Sequence, residues 1–142
     1  MAAFVKFQHF VETLAHGKHD LSADTFYVQL LNTAPDAGND VIETDLPADL
    51  ATLGGYTAGG VTCGTAASSA QTGGVYKLCI TDKVITCSAD TIGPFRYVVL
   101  LNFSAPSQEL IGYYDYGSSI TLNPTETFTI DFDAVNGVLT IT

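Results

Sequence analysis

Apolar residues recur at two different spacings along this chain, and the change of spacing divides it. Phe4, Phe7, Phe10, Val11 and Leu14 fall three or four apart, while Lys6, Gln8, His9, Glu12 and Thr13 lie between them. That is the single apolar stripe of a helix. Gly17 is a natural stop, and His16 and Lys18 stand where the negative end of a helix dipole favours them. The spacing predicts one short N-terminal helix within an arm spanning 1–19. Its three phenylalanines need a surface to lie on, either this domain's own sheet or a neighbouring subunit.

From Thr25 the period becomes two. "TFYVQLLN" (25–32) places Phe26, Val28 and Leu30 on one face, and the turn-rich "TAPDAGND" ends it. Residues 33–59, with Pro35, Pro47 and "LGGYTAGG", read as a long loop. An excursion of that length in a compact domain is a candidate for contact with another molecule. Then follow "VTCGTA", "VYKLCITD", "VITCSA", "FRYVVLLNF", "ELIGYYDY", "TFTIDFD" and "VLTIT", separated by "SSAQTGG", "TIGP", "SAPSQ", "GSSITLNPTE" and "AVNG". Short strands at near-regular spacing, joined by Gly, Pro, Asn and Ser, predict an all-β fold. The expected form is an antiparallel β-sandwich or jelly-roll-like barrel. "YVVLL" (97–101) has no polar alternation and predicts a central strand buried on both faces. "VNGV" (135–138) predicts a hairpin, since Asn-Gly tolerates positive φ. No internal repeat appears, and 142 residues fit a single domain.

Charge narrows the function classes. Fifteen acids against five bases give a formal net charge of −10. Such a chain lacks the Lys and Arg that neutralise phosphates, so nucleic acid is not expected as a partner, nor an anionic membrane surface. The opening residues do not read as a secretory signal, because Lys6, Gln8, His9 and Glu12 interrupt the apolar run. No window is apolar for long enough to span a bilayer as a helix. Cys63, Cys79 and Cys87 are odd in number and in no metal-ligand spacing, which reads as three thiols in strand-like runs.

Candidate chemistry is sparse. In "TFTIDFD", alternation would put Asp131 and Asp133 together on the face opposite Phe128, Ile130 and Phe132. Two such carboxylates could hold calcium or act as an acid/base pair, yet Phe–Asp alternation is also how a half-buried strand is written. "DAGND" (36–40) offers oxygen ligands without the order of a calcium loop, and reads as an Asx-rich turn. His9, His16 and His19 lack companions for a closed zinc set. No phosphate loop, dinucleotide fingerprint, nucleophile elbow or H-E-x-x-H run is present, so neither catalysis nor a cofactor is expected. The tyrosine-rich "LIGYYDYGSSITL" (110–122) is different. As a strand it sends Tyr113 to one face and Tyr114 and Tyr116 to the other, so it is no single aromatic cage. Tyrosine offers rigid contact area with a polar tip, which suits packing within a fold and contact between subunits alike.

Several stretches together carry a resemblance. "FVKFQHFVETLAHGKHDL", "VQLLNTAPD", "GYTAGG", "TGGVYKL", "IGPFRYVVLLN", "LIGYYDYGSSITL" and "ETFTIDFDAVNGVLTI" cover nearly the whole chain. In combination they resemble small structural proteins of tailed-bacteriophage virions. The chain departs from that pattern in "LGGYTAGG", where an Asn is expected before the Gly, and in its cysteines. The resemblance implies a non-enzymatic, β-rich virion component, made in the bacterial host cytoplasm and repeated many times per particle. A capsid decoration or cement protein is the best placement, with a tail or head–tail component as the alternative. The implied partners are the major capsid protein or another virion protein, and the chain itself as a homo-oligomer, a trimer at local threefold axes. Phe4, Phe7, Phe10, Tyr56, Tyr113, Tyr114 and Tyr116 are the candidate protein-contact residues, on the arm, the 33–59 loop and the tyrosine strand. Two rival classes are a glycan-binding module with a concave aromatic site and a metal-dependent hydrolase using Asp131 and Asp133.

Overall fold

The computed structural model describes residues 2–142. Among these described residues it is an all-β fold of antiparallel sheets with one short α-helix. Ten strands run β1 Ala3–Lys6, β2 Phe26–Leu31, β3 Val61–Gly64, β4 Ala70–Thr72, β5 Val75–Leu78, β6 Lys83–Thr86, β7 Ile92–Asn102, β8 Leu110–Leu122, β9 Thr127–Ile130 and β10 Leu139–Ile141. The helix α1 is Phe10–Ala15. A five-stranded sheet has the order β1-β8-β7-β2-β3, a three-stranded sheet β10-β5-β4, and β6 pairs with β9.

The apolar strand read from "YVVLL" is central, as its composition demands. β7 lies between β8 and β2, and Tyr97 through Leu101 are buried. Val98 and Leu100 point into the main core with Phe26, Val28, Leu30 and Tyr114, against Leu78, Ile85 and Ile130 of the smaller sheets and Phe132 just beyond β9. Val99 and Leu101 point the other way, into a second cluster with Phe7, Leu31, Tyr97 and Leu110. Both faces are therefore packed, which is why the run shows no polar alternation.

The N-terminal arm is corrected. Residues 3–6 are a strand that pairs with β8, Phe4 opposite Tyr114 and Lys6 opposite Gly112, and the helix occupies only one and a half turns after it. The three-and-four spacing matches a helix, but a helix over 4–14 would leave the outer edge of β8 unpaired. Phe7 and Phe10 instead enter the two clusters and are buried.

The 33–59 segment is likewise not a free loop. It carries a 3-10 turn at Glu43–Asp45 and is tied to the five-stranded sheet. Leu110 N donates to Val41 O, Glu43 N to Gln108 O, and Leu50 N to Leu30 O. Leu46 packs on the second cluster, so this segment supplies cover for the face that β2, β7 and β8 would otherwise expose. Gln29, buried on that face, donates its amide to Glu43 Oε1 at 2.9 Å and to Gly59 O at 3.2 Å.

Two turns also differ from expectation. "GSSITL" continues β8 rather than leaving it, with Ile120 opposite Phe95 and Leu122 opposite Ile92. The Asn-Gly pair does not join a hairpin, because β9 pairs with β6 while β10 pairs with β5. Gly137, at φ 82°, turns the chain from one sheet to the other. A side chain there would meet Leu78 O at 2.9 Å, a second reason for glycine.

Candidate functional site

The tyrosine strand divides its side chains as alternation requires. Tyr113 lies with Phe7 and Tyr97, ring centroids 5.5 and 6.1 Å away. On the opposite face Tyr114 meets Phe4 at 5.1 Å, and Tyr116 meets Phe128 edge-on at 5.0 Å. Burial, with carboxylates nearby, raises both phenols; Tyr116 is pushed up to about 12. They stay neutral and serve as packing groups. Asp115 accepts two bonds from Arg96, Nε at 2.7 Å and Nη2 at 3.0 Å, and one from Gly117 N. The guanidinium beside it holds this carboxyl below the usual carboxylate range, and the same guanidinium sits 5.2 Å from the Tyr97 ring. The aspartate among the tyrosines is thus consumed in fixing β8 to β7.

Most of the candidate contact residues are core residues. Phe7, Phe10, Tyr56 and Tyr114 are buried in the core. Phe4, Tyr113 and Tyr116 remain half-buried. Tyr56 is fully engaged, its hydroxyl donating to Asp49 Oδ1 at 2.6 Å and accepting from Leu30 N at 3.1 Å. Asp49 in turn accepts from Gly59 N, and burial raises its carboxyl.

The remaining candidates are also structural. The strand ends at Ile130, so Asp131 and Asp133 do not share a strand face. Asp133 takes φ 53° and its Oδ1 accepts from Val135 N and Asn136 N, while Asp131 Oδ1 accepts from Asp133 N. "DAGND" forms the expected Asx-type turn, Asp36 Oδ1 accepting from Gly38 N and Asp40 Oδ2 from Asp36 N. Among the described residues no three His, Cys, Asp or Glu side chains gather to hold a metal. The three cysteines are free thiols; Cys79 and Cys87 are buried just beyond strand ends, and burial pushes the Cys63 thiol up to about 12.

His19 was not singled out for burial by the sequence, yet it sits at the centre of a polar cluster. Asn102 Oδ1 accepts from Ser104 N and Ala105 N, which fixes its amide and aims Nδ2 at His19 Nδ1, 3.1 Å away. Nδ1 therefore accepts, and Nε2–H donates to Thr13 Oγ1 at 3.0 Å. Burial lowers this imidazole below its ordinary value, against the pull of Glu109 and Asp24. The neutral ring links α1 to the end of β7.

One exposed aromatic feature is one the sequence reading passed over. Tyr27 and Phe103 stack face to face, centroids 4.0 Å apart and planes 13° from parallel, and Phe103 is 43% exposed. They border an open depression of about 510 Å³ whose other walls are Thr57 to Thr62 and Lys83. Among the described residues Lys83 has no acid within ion-pair distance. "FRYVVLLNF" read as one strand, which would hide Phe103. In the structure Asn102 ends the strand with its Asx turn and throws Phe103 outward. The Asn-x-Ser spacing after the apolar run was the available signal.

No protein-family model, curated protein or solved structure matches this chain.

Proposed function

We propose that this chain is a non-enzymatic structural protein of a tailed-phage virion, a capsid decoration or cement protein that binds the assembled shell and stabilises it. In this reading the sheets lie over one another as an antiparallel sandwich of jelly-roll type. The observation that carries it is the Tyr27–Phe103 platform. Two stacked rings present rigid apolar area with little conformational entropy left to lose, which is the chemistry of an interface anchor. The lining of the depression holds no carboxylate, thiol or imidazole. A partner surface on the major capsid protein would set an apolar side chain against Phe103 and a carboxylate near Lys83. Because such a surface exists complete only in the assembled shell, each bound copy stabilises that state by mass action.

The test is to mix purified protein with mature shells that lack it and locate bound density by cryo-electron microscopy. Density repeated over local symmetry axes, with Phe103 at the contact, supports the proposal. Density at the portal or tail alone moves the chain to a tail or head–tail role. The same shallow aromatic depression, flanked by Thr57, Thr62 and Lys83, favours a second reading as a glycan-binding module. Sugar binding by the isolated domain, with no binding to any shell, would select it.

A further inference from the structure

The three-stranded sheet has two open edges. Among the described residues β10 and β4 each pair only with β5. An open edge presents unpaired backbone groups and templates another strand, so edges are commonly blunted by lysine, proline, bulges or cover. The five-stranded sheet shows such devices, with Lys6 on β1 and a register shift between β2 and β3. β10, Leu-Thr-Ile, and β4, Ala-Gln-Thr, have none. Both pair with β5 in unbroken register and carry neither charge nor proline.

Beside β10 the fold leaves a slot of about 380 Å³, between residues 139–142 on one side and Phe10, Val11, Leu14 and Ala15 of α1 on the other. Val11 is exposed there and belongs to neither apolar cluster. A slot between a strand edge and an apolar helix face accepts an extended segment, whose backbone pairs with the strand while its side chains rest on the helix.

Charge leaves β4 free to be the occupant. At a net charge of −10, copies of this chain repel one another wherever acids meet. The longest stretch with no charged residue runs from Leu50 to Tyr76 and contains β4. β4 is exposed along its whole length, and its neighbours are Ser68, Ser69, Gly73 and Gly74. The basic side chains near the slot are Lys6 on its wall and Lys77 opposite Thr140. An uncharged strand of small residues therefore meets no like charge on entering it.

We propose that β4 of one copy enters the slot beside β10 of the next, extending the three-stranded sheet across the subunit boundary. The two edges are opposite ends of one sheet, so the contact is head-to-tail, an arrangement that makes a ring where the rotation between copies closes and a filament where it does not. The inference rests on the homo-oligomer that the sequence resemblance implies, and not on binding to a shell.

Sedimentation equilibrium on the full chain tests it without any shell, so its failure and the failure of shell binding are separate results. The protein should exceed its single-chain mass of 15.0 kDa. Thr140→Lys and Gln71→Lys each put a lysine on one open edge, at exposed positions, and each should return to single-chain mass with an unchanged circular dichroism spectrum. Mixed in equal amounts they should form a one-to-one pair and nothing larger, because the first variant keeps an intact β4 and the second an intact β10. Should either lysine variant lose its spectrum, Thr140→Asp and Gln71→Asp replace them. Wild-type protein at single-chain mass up to its solubility limit overturns the proposal. So do folded variants that keep the wild-type mass, or a mixture that stays dissociated.

Discussion

The ring of Phe4 occupies the space that a side chain on Gly112 would need, and the two residues sit on adjacent paired strands. Gly112 thus does for the tyrosine strand what its neighbours cannot. It leaves a gap through which the N-terminal strand closes down on β8. Gly112→Ala should overpack this contact and cost about 1–3 kcal/mol, read as a lower urea midpoint. Combined with Phe4→Ala, the loss should be less than the sum of the two, since the second change vacates the space. Strict additivity would mean that the two residues do not compete for it.

Removing residues 1–17 should unfold the domain rather than release a dispensable arm. The deletion takes β1, which covers the edge of β8, and the buried rings of Phe7 and Phe10. Truncating one such ring typically costs about 3–5 kcal/mol, comparable to half of a small domain's stability. Circular dichroism and near-ultraviolet spectra of the truncated chain check this; a native spectrum would restore the arm as a separable element.

The His19 cluster sets a pH dependence with a defined sign. Burial lowers the folded-state value below the ordinary 6.5, so the folded protein binds this proton less readily than the unfolded chain. The stability it contributes is complete above about pH 6.5 and declines as pH falls toward the lowered folded value. Protonation would also turn an Nδ1–H toward the donor Nδ2 of Asn102. Urea unfolding between about pH 7.5 and about pH 5 should show the decline, and His19→Gln should flatten it. A variant with the wild-type slope would assign the decline to another group.

Tyr56→Phe should loosen the 49–59 segment. The hydroxyl satisfies Leu30 N and Asp49 Oδ1 at once, so its loss strands a buried donor and a carboxylate oxygen. Leaving such groups unpaired costs about 1–3 kcal/mol. Hydrogen exchange at the Leu30 and Gly59 amides should accelerate while exchange at Val98 and Leu100 follows only the global change. Uniform acceleration across all four would show that the hydroxyl has no local role.

These residues also show what the chain discloses in one dimension. The all-β architecture and the doubly buried β7 were legible because β-period and charge-free runs are local signals. The strand at 3–6 was not, because Phe4, Phe7 and Phe10 fit a helical stripe and only the open edge of β8 decides against it. The role of 33–59 was hidden for the same reason, since a polar-looking loop that covers a sheet face is recognised only beside that sheet. Tyr56 and Tyr114 read as surface tyrosines because their partners, Leu30 and Phe4, are distant in sequence. The exposure of Phe103 hinged on one Asx turn at Asn102 that ended a strand one residue before the run of apolar residues did.

That ring offers the most direct separation of stability from function. Phe103 is exposed and its main contact is the stack on Tyr27. Phe103→Ser forfeits a pair of the kind worth about 0.5–1.5 kcal/mol and opens no core cavity, so the urea midpoint should fall by about 1 kcal/mol equivalent or less. If the platform is the anchor of a shell contact, the same change should weaken binding to assembled shells by about tenfold or more, which corresponds to about 1.4 kcal/mol. Lys83→Glu should weaken it as well, because the net charge becomes more negative at the one place where the rim of the depression is positive. Phe103→Tyr, which keeps the stacked area and adds a polar tip, should retain most of the binding. Binding curves that are unchanged for Phe103→Ser would remove the platform from the contact, whatever else the shell-binding experiment shows.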